Sequence, residues 1–118
     1  MLQHASLEVR RDQVDDCVRF WALLGFERVE PPVTLVERAA WLQSGPTQIH
    51  RLYTEAPTIP PEGHTAVLVD DYDGVFASLE RAGFQPERRR EHWGAPRSVV
   101  HDPAGHRVEV MAAPPPGR

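Results

Sequence analysis

A single cysteine, Cys17, leaves this chain of 118 residues without a partner for an internal disulfide, which suits a reducing, cytoplasmic setting. Cys17 falls on an apolar helical stripe and reads as a small buried residue, not a reactive thiol. Long apolar runs are also missing. None approaches the roughly 20 residues needed to span a bilayer, and the opening MLQHASLEVRR alternates like a strand, without the basic-then-apolar order of a secretory signal. Positive charge is in short supply: a net charge of −4 and a pI near 5.8 argue against a nucleic-acid partner. What remains, 41% hydrophobic and 25% charged residues, describes one globular domain with room for one core.

The chain repeats itself. HASLEV, from His4, alternates Ala5, Leu7 and Val9 against His4, Ser6 and Glu8; HTAVLV, from His64, alternates Thr65, Val67 and Val69 against His64, Ala66 and Leu68. Each reads as a strand whose histidine points away from the aliphatic row. An amphipathic helix follows each strand. The first places Val14, Cys17, Val18, Trp21 and Ala22 at helical spacing, with Asp12 as its expected N-cap; the second places Val75, Phe76, Leu79 and Ala82 likewise, behind Asp70, Asp71 and Asp73. Both helices stop at a Gly-Phe pair, Gly25-Phe26 and Gly83-Phe84. A strand (FERVE, then FQPERRR) and a hairpin come next. The hairpins are AAWLQ and TQIHRLY about a Ser44-Gly45-Pro46 turn, and RSVVH and HRVEVM about an Asp102–Gly105 turn.

The spacing between equivalent positions stays near 60 residues, from His4 to His64, from Gly25 to Gly83 and from His50 to Glu109. One strand-helix-strand-strand-strand unit has been used twice, which predicts an α+β fold. The modules cover about residues 1–54 and 63–112, joined by a Pro-rich linker over 55–62 and followed by a Pro-rich tail at 113–118. The linker's prolines are compatible with modules held apart. One helix covers one face of each small sheet. The other face is left for a second unit, solvent or a ligand, and it is the face that carries the histidines.

Four side chains could do chemistry there. His4 and His64 begin equivalent strands; His50 and Glu109 sit at equivalent places on the last strands, sharing their faces with Gln48 and Leu52 and with Arg107 and Met111. Two sheets related by an approximate two-fold would gather all four in one cleft. Imidazoles and a carboxylate suit Zn²⁺, Ni²⁺, Mn²⁺ or Fe²⁺. Taken singly, each has an ordinary explanation: an edge histidine, a surface histidine beside Arg51, a polar strand start and a solvated glutamate. The pairing of positions between repeats is what selects them together. Trp93, Arg97, Arg107 and Gln48 are the candidate substrate contacts. Arg88, Arg89 and Arg90 could attract an anion but read more simply as a solvated edge. His101 and His106 read as turn residues and Glu8 as a rim residue, while Trp21 fits a helix core and Trp41 a buried strand.

LQHASLEV, FWALLGF, GHTAVLV and HDPAGHRVEVM together resemble the vicinal-oxygen-chelate superfamily, which includes glyoxalases, bleomycin-resistance proteins and dioxygenases, over nearly all of residues 1–112. The resemblance implies paired βαβββ modules with curved mixed sheets enclosing a metal and substrate cleft, and His4, His50, His64 and Glu109 at its ligand positions. Glyoxalase I and methylmalonyl-CoA epimerase use all four positions, commonly with Glu or Gln where this chain has His50. Fosfomycin-resistance transferases and extradiol dioxygenases use only the other three. His50 therefore points toward the lyase and epimerase side, while departing from the two-glutamate glyoxalase pattern.

The expectation is a metal-dependent lyase or isomerase acting on a small molecule through two adjacent oxygens by enediolate chemistry. Glu109 would move the proton, and a homodimer would hold the site. The rival expectation is a metal-free binder of the bleomycin-resistance type, gripping an aromatic cation with tryptophan.

Overall fold

A computed structural model describes residues 1–117; Arg118, the last residue of the predicted tail, lies outside the described residues. The first module runs β1 (His4–Val9), α1 (Val14–Leu23), β2 (Glu27–Val29), β3 (Ala39–Ser44) and β4 (Thr47–Tyr53). The second runs β5 (Thr65–Leu68), α2 (Tyr72–Arg81), β6 (Glu87–Arg88), β7 (Arg97–His101) and β8 (Arg107–Met111). Two four-stranded mixed sheets result, with orders β1-β4-β3-β2 and β5-β8-β7-β6. In each, the first strand lies parallel to the last and the remaining pairs are antiparallel. The repeat in the sequence is thus a repeat in topology.

The helix stops confirm it locally. Gly25 and Gly83 take φ of +91° and +92°, a conformation that side chains with a Cβ rarely adopt. The amides of Phe26 and Phe84 then reach back to the Trp21 and Leu79 carbonyls at 3.0 Å each. The helix starts differ. Asp71 caps α2 by accepting from the Gly74 amide at 3.0 Å. Asp12 does not cap α1, because residues Arg11–Gln13 form a 3₁₀ turn first. Its driving contact is reciprocal: the Arg10 amide donates to Gln13 Oε1 at 3.1 Å and the Gln13 amide donates to the Arg10 carbonyl at 3.0 Å. FQPERRR forms only a two-residue strand, since Pro86 has no amide to add to the ladder.

One core serves both modules. Val9, Leu42 and Ile49 of the first sheet and Val67, Val100, Val108 and Val110 of the second belong to the same buried cluster, with Cys17, Phe20, Trp21 and Leu79 between them. Phe20 of α1 meets Phe84 edge-on, ring centres 4.9 Å apart. The linker therefore does not hold the modules apart, as its proline content suggested. Each sheet turns its apolar side to the shared core and leaves its other side open. No helix is long and apolar enough to cross a membrane among the described residues.

Candidate functional site

The open face of the first sheet carries His4, His50 and Trp41. Trp41 and His50 are register partners on adjacent strands, and their rings stack with centres 4.1 Å apart and planes 3° apart. His4 stacks on the other side of His50 at 4.0 Å. His50 Nε2 lies 2.8 Å from Gln48 Oε1, and Gln48 Nε2 donates onward to Gln43 Oε1 at 2.7 Å. With Nε2–H committed to the amide, His50 keeps its lone pair on Nδ1. Burial, and then the neighbouring His4, hold the His50 imidazole below its ordinary value of 6.5, so the ring is neutral at pH 7. Trp41 and His50 line a cleft of about 900 Å³ that extends past Glu8 and Ala39 to a charged rim at Arg10, Arg38 and Glu55.

Trp41 is thus not the core residue that a buried strand would make it. Ala40 and Leu42 are buried while Trp41 is half-buried on the opposite side. Its phase with Gln43, the polar end of the alternation, is the signal for this face.

The second sheet's open face carries the other pair. His64 Nδ1 lies 2.9 Å from the Glu62 carbonyl and donates to it. Nε2 faces Glu109 Oε1 at 3.3 Å. Arg97 Nε donates to Glu109 Oε2 at 2.7 Å, and Arg97 Nη1 donates to the Arg90 carbonyl at 2.9 Å. In neutral His64, Nε2 is an acceptor facing a carboxylate acceptor. Two acceptors that close call for a cation between them, either a proton on Nε2 or a metal ion. A divalent metal therefore fits this donor pair.

Within one chain the four predicted ligands stay as two pairs, and no group of three or more His, Cys, Asp or Glu is placed to hold a metal among the described residues. The expected gathering of all four in one cleft does not happen inside the chain. The reason lies in the core: the sheets share their apolar sides through the helices, so the open faces point away from that shared core.

Of the candidate substrate contacts, Gln48 belongs to the amide chain that orients His50. Trp93 is half-buried and donates through Nε1 to the Ala113 carbonyl at 3.0 Å, which ties down the chain after β8. Arg97 is committed to Glu109. Arg107 shares Glu109's face, and its Nε is enclosed without a partner. Arg88 packs over Phe76 at 4.2 Å and Arg89 pairs with Glu87. His106 is buried, not a turn-face residue, and its Nε2 meets the Glu8 carbonyl at 2.8 Å.

One polar group has no counterpart among the residues singled out from the sequence. Arg51 on β4 is fully buried, and its Nη1 donates to Asp102 Oδ2 at 2.6 Å. Trp21 Nε1 donates to the same oxygen at 3.2 Å, while the amides of Ala104 and His106 donate to Oδ1 at 3.0 and 2.9 Å. The turn between β7 and β8 is therefore bolted to β4 and α1 of the first module. Cys17 lies within this region, and burial raises its thiol to about 11, which keeps it protonated.

A family model described as the Glyoxalase/Bleomycin resistance protein/Dioxygenase superfamily matches residues 2–110. A comparison with proteins of curated function gave no match. Among solved structures, the fold is similar to that of a glyoxalase family protein from Bacillus anthracis, with a TM-score of 0.83 and 21% identity over 94% of this chain and 93% of that one. A lactoylglutathione lyase from Agrobacterium tumefaciens gives 0.70 and 20% over 94% and 92%. A bleomycin-binding protein solved with bleomycin gives 0.66 and 18% over 97% and 98%. At these identities the likeness is one of fold, and the family model carries the assignment. The chain belongs to the Glyoxalase/Bleomycin resistance protein/Dioxygenase superfamily.

Proposed function

We propose that this chain is a glyoxalase-like, metal-dependent lyase or isomerase that acts on a small molecule through two adjacent oxygens. The site is shared between two copies: His4 and His50 of one chain meet His64 and Glu109 of the other. The observation that carries this reading is the His64–Glu109 approach at 3.3 Å, an imidazole nitrogen and a carboxylate oxygen that a divalent metal could bridge in place of a proton, on a sheet face left open by the core. His4 and His50 supply the complementary pair from the equivalent face of the first module. A homodimer with a two-fold axis brings unlike faces together twice and forms two equal sites.

A divalent metal bound there would stabilise negative charge developing on the two substrate oxygens. The protein's own residues do the rest. Glu109, on leaving the metal, would use Oε1 to take a proton from the substrate carbon and return it, while Arg97 holds Oε2 so that one carboxylate edge faces the cleft. Gln48 and Gln43 fix the ring of His50, and Trp41 closes its flank. Total metal analysis of protein purified without a chelating tag tests the reading. Uptake near one equivalent per chain is expected; less than about a tenth, with no uptake of added Ni²⁺, Zn²⁺, Mn²⁺ or Fe²⁺, would overturn it.

A second reading has one observation in its favour. The stacked rings of Trp41 and His50 give the cleft of about 900 Å³ an aromatic wall, as a metal-free binder of a planar cationic molecule requires. Tight ligand binding that survives removal of all divalent metal would favour that binder over the enzyme.

A further inference from the structure

The charges on the second sheet's open face do not balance, and the surplus has one address. Glu109 uses Oε1 toward His64 and Oε2 toward Arg97. Arg97 is further committed to the Arg90 carbonyl, and Glu87, the other acidic residue of this face, is answered by Arg89 at 3.1 Å. Arg107 remains. It lies two residues before Glu109 on β8, so alternation puts both on one face. It forms no ion pair among the described residues, and its Nε is shut off from solvent with nothing to donate to. A buried donor without an acceptor is a cost that native structures rarely leave standing unless something else supplies the acceptor. An arginine supplies a planar fork suited to a two-oxygen anion, which it binds more strongly than any neutral group.

We propose that Arg107 is an anion-recognition residue and that the substrate bears a carboxylate in addition to its two adjacent oxygens. The proposal rests on reading this open face as part of the substrate cleft. A neutral diol would leave Arg107 unpaired beside the site; a carboxylate pairs with it and orients the molecule over Glu109. Arg107 is a specificity residue in this scheme, and Glu109 and His64 remain the groups at the reacting atoms.

The test separates this proposal from the metal reading by using a probe that needs no metal. Benzoate is titrated into the chelator-treated, full-length protein while the Arg Nε–H resonances are followed by proton–nitrogen correlation NMR. Arg107 is identified as the signal missing from Arg107→Gln. The expected result is a saturable shift of that resonance with benzoate, none with benzyl alcohol, and a weaker response to inorganic phosphate. Arg107→Gln should weaken benzoate binding by about ten-fold or more, with Arg107→Lys keeping part of it. In parallel, metal-loaded wild type should prefer 3,4-dihydroxybenzoate over catechol, and Arg107→Gln should lose that preference at unchanged metal content. A still Arg107 resonance, benzoate binding unchanged in Arg107→Gln, or tighter binding of phosphate than of benzoate would overturn the carboxylate assignment. Failure to take up metal, with the benzoate response intact, would overturn the metal reading alone.

Discussion

Replacing Asp102 by alanine should cost more stability than any substitution on the open faces. Both side chains of the Arg51–Asp102 pair are fully buried, so the change leaves a guanidinium charge without its counter-ion inside the core. Arg51 has no fallback: its Nε and Nη2 already lack partners. Losing one member of a buried pair costs about 3–5 kcal/mol, and the two turn amides stripped of Oδ1 add about 1 kcal/mol each. The sum, roughly 5–7 kcal/mol, rivals the whole stability of a domain of this size, about 5–15 kcal/mol. Asp102→Ala should therefore melt about 15 °C or more below wild type, or fail to fold at all. Arg51→Met/Asp102→Ala should recover much of the loss, because it removes the stranded charge and fills the space with apolar atoms. Thermal and urea unfolding followed by circular dichroism would measure all three proteins. An Asp102→Ala protein melting within about 3 °C of wild type would refute the reasoning, as would a double variant less stable than the single one.

His64→Ala and Glu109→Gln should each remove most metal uptake while shifting the melting temperature little, since His64 is exposed and glutamine keeps the contact with Arg97; full metal content in either variant, measured by elemental analysis, would unseat that residue as a ligand. Val67→Asp should prevent folding, because Val67 is buried in the shared core; a soluble, cooperatively melting variant would contradict the assignment of faces on β5. His50 is held below its ordinary 6.5 in the folded protein, so between that lowered value and 6.5 the unfolded chain binds the extra proton. Its contribution therefore makes stability rise with pH across that window and level off above it, and His50→Gln should flatten the rise in urea midpoint just below pH 6.5. Cys17, buried with its thiol raised to about 11, should react with a thiol reagent only at the rate of unfolding; prompt labelling of native protein would argue against its burial.

The repeat makes the topology legible in the sequence, because alternation and helix stops recur at equivalent positions. It also selects the four proposed ligands, with His4 and His50 on one open face and Glu109 on the other, where His64, just ahead of β5, meets it. The packing of one module on the other is not legible. Alternation puts Arg51 opposite His50, on the core side, but a charged side chain in a core is the exception unless a partner is in view. Its partner, Asp102, stands in a turn of the other module, where Asp-Pro-Ala-Gly reads as turn chemistry alone. Trp41 departs from expectation for a related reason. Size suggests burial, while the phase of its strand puts it in the cleft. The distribution of the four proposed ligands over two pairs depends on how the helices pack, and local pattern carries no information about that.

The central claim is that the two pairs complete one metal site only between copies of the chain, and mixing two disabled chains tests it most directly. A His4→Ala/His50→Ala chain and a His64→Ala/Glu109→Ala chain should each bind no metal alone. After subunits exchange at equal concentration, each mixed dimer should contain one intact site, restoring about a quarter of the wild-type metal per chain. Metal content that stays at the level of the two parents, although sedimentation detects mixed dimers, would contradict the shared site. A wild-type protein that sediments as a monomer at micromolar concentration would contradict it as well.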